Sequence, residues 1–204
     1  MKNDTILVLV STAEPAEAQL AMLEESLAGV KMVFGNSAEV FAGATVEATV
    51  LFNWSGSLEL FKKVFAVCPN LLWVHSRSVG LERTLFPELK ESAVPLTNGA
   101  GVFSASLGEF ALGAILYFAK DFRRMIRNQM AGVWEAFDVS WASGHTVGII
   151  GYGDIGRAVA ERVRAMGMTV LAVKRHASTS QTSDPLVAET YPPERRLEMI
   201  SRCD

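Results

Sequence analysis

The chain has 204 residues, half of them hydrophobic, with 19 Lys and Arg against 22 Asp and Glu and a formal net charge of −3. That supplies enough apolar surface for two small cores, and it gives neither the positive field nor the basic stripe with interleaved aromatics that nucleic acid needs. Cys68 and Cys203 lie far apart without a CxxC pair, and no run reaches the roughly eighteen apolar residues of a membrane span, so no disulfide framework, zinc site, membrane or nucleic-acid partner is expected and the compartment expected is the reducing cytoplasm.

The apolar run at residues 5–10 is too short for a signal peptide and is followed by acidic, helix-forming sequence, so it reads as a first strand. Strands and helices alternate from there, which predicts an α/β domain with a parallel sheet over residues 1–100. The strands fall at 6–10, 31–34, 48–52, 71–75 and 94–96, with helices near 14–28, 38–42 and 57–67; Pro69 and Asn70 break the last of these. Ligands of such sheets sit beyond the carboxyl ends of the strands, which makes residues 76–82 a candidate binding loop. Its small residues Ser76, Ser78 and Gly80 suit backbone N–H groups facing an anion such as a substrate carboxylate, and they suit an ordinary turn equally well.

A long helix is predicted over about 104–131, opening a second domain at 101–204. Leu107, Phe110, Ala111, Ala114, Ile115, Phe118, Phe122, Met125 and Ile126 build its apolar face, while Lys120, Asp121, Arg123, Arg124 and Arg127 cluster toward the polar half. One small domain cannot cover such a helix, so the surplus bridges the domains, meets another subunit or packs in the core.

Residues 146–175, TVGIIGYGDIGRAVAERVRAMGMTVLAVKR, carry the most informative pattern. The β-branched run 146–150 reads as a buried parallel strand, a helix follows over about 154–166, and a second strand follows at 168–173. Between strand and helix stands GxGxxG. Gly151 permits the tight turn, Gly153 lets the backbone approach a pyrophosphate, and Gly156 lets the helix pack closely on the sheet. The free N–H groups around Asp154 and Ile155, beside Tyr152, then face the phosphates with the helix dipole behind them. Ile155, Val159, Val163 and Met166 share the face expected to pack, and Gly167 ends the helix.

The end of the second strand selects the dinucleotide. An NAD site carries Asp or Glu there for the ribose hydroxyls, whereas Lys174 and Arg175 suit the 2′-phosphate, so NADP(H) is preferred and NAD(H) remains possible. Solvated strand-end charges are the bland reading of the same pair. Ser178, Thr179 and His176 add further donors nearby. Methyltransferases also use a glycine turn, but theirs is followed by an acidic residue where this chain is basic.

With LLWVHSRSVGLE at 71–82, TNGAGVFSASLGEFALGAIL at 97–116, the arginine-rich helix running into Gly132 and Trp134, and the glycine-turn signature, the chain resembles the D-isomer-specific 2-hydroxyacid dehydrogenases. Its likeness is greatest to the branch of NADPH-dependent glyoxylate/hydroxypyruvate reductases. The resemblance implies a flavodoxin-like substrate domain at 1–100 and the first part of a Rossmann domain at 101–204, both with parallel sheets. It implies that the backbone of Val79 and Gly80 grips the carboxylate of a small 2-keto acid, that Leu107 lies near the nicotinamide, that Arg175 binds the 2′-phosphate, and that the protein is a homodimer. Arg77 and Ser78 depart from the family's small residues and glycine, and Glu82 from a common Asp. The family's catalytic Arg, Glu and His lie downstream of the second Rossmann strand. None is found before Asp204, which follows a helix near 194–201, and only two Rossmann strands are read, so activity is expected to require a missing C-terminal part and the 204 residues by themselves to be inactive; the alternative is a non-catalytic dinucleotide-binding module or an inactive fragment. His75, at a strand end near the candidate loop, is the one histidine placed to act as a donor, and a structural role fits it better; His145 and His176 read as surface residues.

Overall fold

The computed structural model describes residues 4–11, 18–175 and 184–204, which form two compact units, Met1–Ala100 and Gly101–Asp204. The sequence expectations at Glu14, His176, Ser178 and Thr179 lie outside the described residues.

The first unit is a five-stranded sheet with every pair parallel, in the order β2-β1-β3-β4-β5. That is the flavodoxin-like order. The strands are β1 (Thr5–Leu9), β2 (Lys31–Gly35), β3 (Ala48–Asn53), β4 (Trp73–Ser76) and β5 (Leu96–Asn98). Alternation places Leu7 and Leu9 on one face and Val8 and Val10 on the other. The first face packs against α2 (Leu58–Ala66) and α3 (Pro87–Glu91) through Phe61, Val64, Phe86 and Leu89; the second packs against Leu20 of α1 (Ala18–Ser26). Ser57 caps α2, its hydroxyl accepting from the Leu60 N–H at 3.3 Å. The helix expected at 38–42 is a single 3₁₀ turn, Glu39–Phe41, and α3 was not anticipated although Pro87 stands at its start, a favoured place for proline.

The second unit corrects the sequence reading in two places. The helix expected over about 104–131 is two helices, α4 (Ser104–Ala119) and α5 (Phe122–Met130). Asp121 between them adopts a left-handed φ of 47°, and its carboxylate accepts from the Arg124 N–H at 3.2 Å, so the residue that ends the first helix caps the second. The sheet also has three parallel strands rather than two: β6 (Thr146–Ile150), β7 (Thr169–Val173) and β8 (Glu189–Tyr191) lie in the order β6-β7-β8. The third was missed because its three residues carry no apolar run; Tyr191 anchors it, fully buried beside Leu171, Val173 and Met199. A 3₁₀ turn and α7 (Arg196–Ile200) follow.

Helix α6 (Asp154–Ala165) joins β6 to β7. It buries Gly156, Ala160 and Val163, whereas Ile155 and Met166 are 38% and 40% exposed, so the packing line is rotated from the one expected. Helix α4 lies close against α6. A Cβ on Gly108 would lie 2.9 Å from the Ala158 carbonyl oxygen, and only a line of small residues admits so close an approach. At its C-terminus the Met168 N–H bonds Val163 O and the Gly167 N–H bonds Arg164 O, with Gly167 at φ +79°, which closes the helix in a Schellman motif.

Candidate functional site

The glycine turn at the carboxyl end of β6 is built by three different requirements. Gly151 takes φ +96°, where side-chain-bearing residues are strained. Gly153 has nothing within 4 Å of where its Cβ would stand, leaving a bare, open backbone. At Gly156 a Cβ would sit 2.5 Å from the Gly151 carbonyl oxygen and 3.2 Å from the Ile149 side chain, so helix and turn close on each other only because no side chain intervenes.

Val173 O, at the end of the neighbouring strand, accepts from the N–H groups of both Gly151 and Tyr152 at 3.1 Å. The first helical hydrogen bond runs from the Arg157 N–H to Gly153 O at 2.8 Å, so the N–H groups of Asp154, Ile155 and Gly156 have no helical carbonyl to meet. They sit at the positive end of the helix dipole. Tyr152, Gly153, Asp154 and Ile155 are all at least partly solvent-accessible. A concave turn without a Cβ, three spare donors and a favourable dipole fit a pyrophosphate.

The register pairs Ile150 with Val173, which brings the residues after each strand, Gly151 and Lys174, to the same edge. Lys174 and Arg175 are exposed there, the Lys174 N–H bonding Tyr191 O at 3.0 Å. The neighbouring carboxylate is already engaged. Asp184 accepts from the Tyr152 hydroxyl at 2.9 Å and from Arg157 Nε at 3.1 Å with one oxygen, and from the Leu186 N–H at 3.1 Å with the other. Those donors, the Leu186 N–H foremost, hold the Asp184 carboxyl below its usual range. Burial first, then the hydrogen bond to Asp184, pushes the Tyr152 phenol up to about 12. This network was not read from the sequence, because it joins residues 32 positions apart. Leu107, on the first turns of α4 beside Gly108, is 41% exposed.

In the first unit the candidate loop leaves β4 at Ser76. The buried Ser76 hydroxyl lies 3.2 Å from that of Thr84 and accepts from the Ser78 N–H at 3.3 Å. The Ser78 carbonyl accepts from the Gly99 N–H at 3.2 Å and the Val79 carbonyl from Asn98 Nδ2 at 2.7 Å. Among the described residues the N–H groups of Val79 and Gly80 have no partner. Val79 is half-buried and Gly80 exposed, with the Glu82 carboxylate folded over Gly80. Arg77 stacks on Trp54 with its guanidinium 4.4 Å from the ring. Asn98 was not singled out from the sequence.

His75 faces Thr97, its Nδ1 2.7 Å from a hydroxyl that also accepts from Trp73 Nε1 at 2.8 Å. Burial holds the imidazole below its ordinary pKa, so at neutral pH it is uncharged and committed to the fold. A groove of about 640 Å³ runs along β6, lined by Ile115, Phe118, Ile150, Met199 and Cys203 among others; it is apolar and includes none of the glycine-turn residues from Gly151 to Gly156. No group of three His, Cys, Asp or Glu among the described residues is placed to hold a metal ion.

Together these features define an α/β protein with a dinucleotide-binding βαβ unit. Residues 112–204 match the family model described as D-isomer specific 2-hydroxyacid dehydrogenase, NAD binding domain. The chain is 32% identical over 105 residues to a hydroxypyruvate reductase of Thermotoga maritima, covering 50% of this chain and 34% of that protein. It is 33% identical over 128 residues to glyoxylate/hydroxypyruvate reductase A of Arabidopsis thaliana, covering 61% and 39%. In fold it resembles an NADPH-dependent glyoxylate/hydroxypyruvate reductase of Sinorhizobium meliloti solved with NADP and sulfate, with a TM-score of 0.76 at 22% identity over 98% of this chain and 60% of that one. A family protein from Aeromonas salmonicida gives 0.76 at 21% identity, over 99% and 62%. Residues 112–204 thus resemble the NAD-binding domain of this family, and the chain spans less than half the length of these two sequence relatives.

Proposed function

We propose that this chain is the NADP(H)- and substrate-binding part of a reductase of small 2-keto acids such as glyoxylate and hydroxypyruvate. The observation that carries the reading is the glycine turn with its spare N–H groups beside Lys174 and Arg175, while Asp184 is tied to Tyr152 and Arg157. Gly151, Tyr152, Gly153, Asp154, Ile155 and Gly156 form the pyrophosphate turn, Lys174 and Arg175 receive the 2′-phosphate, and Leu107 borders the nicotinamide. When bound, NADPH supplies the hydride for the keto carbon. Residues 1–100 serve as the substrate domain, with the N–H groups of Val79 and Gly80 binding the carboxylate, and residues 101–204 serve as the nucleotide domain.

The reduction also needs a proton donor. His75 is neutral and bound to Thr97, so we assign no catalytic role to it, and turnover is expected to need the Arg, Glu and His that the family resemblance implies. The exposed apolar side chains of α4 and α5, with Phe110, Phe118 and Met130 each about four-fifths exposed, support a homodimer, and two free cysteines suit a reducing cytoplasm. No described helix is long and apolar enough to cross a membrane.

The test is NADPH oxidation by the purified chain with glyoxylate and hydroxypyruvate, alongside direct NADPH binding. Binding without turnover is expected. Turnover would place a donor inside the chain, with His75 the first to replace, and failure to bind either nicotinamide dinucleotide would remove the reading altogether.

A further inference from the structure

We propose that Asn98 is a positioning residue that aims the carboxylate-binding N–H groups; the inference rests on the reading of Val79 and Gly80 given above. In a trans peptide the carbonyl of one residue and the N–H of the next point in opposite directions. Asn98 Nδ2 holds the Val79 carbonyl at 2.7 Å, so the Gly80 N–H is turned away from Asn98. The Gly99 N–H holds the Ser78 carbonyl at 3.2 Å and turns the Val79 N–H the same way. Two successive N–H groups facing one side make an anion-binding concavity.

The anchor is rigid where it needs to be. Asn98 is the last residue of β5 and pairs in register with Ser76 of β4, so its amide starts from the sheet and not from a loop. Gly99 is pressed against the loop: a Cβ there would lie 2.4 Å from the Arg77 carbonyl oxygen. On the far side the Ser78 N–H is taken by Ser76 Oγ, leaving Val79 and Gly80 as the consecutive donors facing outward. Asn98 is assigned a positioning role through the loop backbone and not a contact with the substrate. It acts through the Val79–Gly80 peptide, and of the two bonds that hold the Ser78 and Val79 carbonyls it is the one made by a side chain, so it can be removed without altering the covalent backbone.

The experiment is titration of the ¹⁵N-labelled 204-residue chain with sodium glyoxylate, reading the Val79 and Gly80 amide resonances. In the parent both should shift saturably. Asn98→Ala should weaken glyoxylate binding by roughly five- to tenfold, the worth of one neutral hydrogen bond. The thermal midpoint should fall by only the few degrees that one hydrogen bond is worth, while amides remote from the loop and NADPH affinity stay unchanged, whereas a merely structural role would lower stability without a selective loss of glyoxylate binding. Asn98→Asp, nearly isosteric but without the donor, repeats the test if the alanine variant fails to fold; Asn98→Gln should recover part of the affinity. Equal glyoxylate binding by parent and donorless variants overturns the role of Asn98 while leaving the carboxylate loop standing. No shift at Val79 and Gly80 in the parent overturns the substrate reading and this inference with it.

Discussion

Gly153→Ala and Gly156→Ala should fail in opposite ways. At Gly156 the added Cβ would stand 2.5 Å from the Gly151 carbonyl oxygen, a backbone atom that no side-chain rotation can move aside, so helix and turn must separate by about half an ångström. Overpacking of this kind costs about 1–3 kcal/mol. Alanine's better helix propensity returns up to about 1 kcal/mol, which leaves a net loss of about 1–2 kcal/mol against so unyielding a neighbour. For a unit of this size that lowers the thermal midpoint by roughly 5–15 °C. The turn that carries the phosphate donors is displaced as well, so NADPH affinity falls with stability. At Gly153 a Cβ meets nothing within 4 Å, so Gly153→Ala should melt within a few degrees of the parent. Its methyl group points from the backbone that the pyrophosphate approaches, so NADPH binding should be lost by tenfold or more on the scale expected for a displaced contact. Differential scanning calorimetry gives the first quantity and quenching of intrinsic fluorescence by NADPH the second. A Gly153→Ala chain that binds NADPH as the parent does would refute the reasoning, as would a Gly156→Ala chain with an unchanged midpoint.

Three other outcomes are expected. Replacing Lys174 and Arg175 by alanine should weaken NADPH binding by roughly 10- to 100-fold, the worth of charge-assisted hydrogen bonds to a phosphate, and leave NADH binding unchanged; equal losses for both dinucleotides would contradict the assignment. Asp184→Asn should bring the Tyr152 phenol down from about 12, though not fully to its ordinary value because burial remains, and ultraviolet titration of the tyrosines would register the change. The folded pKa of His75 is held below 6.5 by burial, so the unfolded chain takes up that proton at higher pH than the folded one. The stability of the first unit should therefore fall as pH drops below about 6.5, and urea midpoints above and below that pH should diverge less in His75→Gln than in the parent.

The parts legible from the sequence are those whose causes are local. The glycine turn was readable because Gly151 answers a φ of +96° and Gly156 a close approach within five residues. Gly167 likewise marks its own helix end. The five strands of the first unit follow from short β-branched runs, although β4 and β5 begin two residues later than the hydrophobic pattern suggested. The break at Asp121 was hidden because the apolar period runs straight through it from Phe118 to Phe122, and a non-glycine residue at φ 47° is an exception that no spacing announces. The burial of Gly156 and Ala160 in place of Ile155 and Met166 is set by tertiary packing, and the role of Asn98 by a bond spanning 19 residues, neither of which a periodicity can show.

The most direct test of the account is equilibrium titration of the 204-residue chain with NADPH and with NADH under the same conditions. Saturable binding of both is expected, with NADPH the tighter by at least tenfold and the preference vanishing when Lys174 and Arg175 are replaced. Absence of binding, or a chain that holds NADH more tightly, would contradict it.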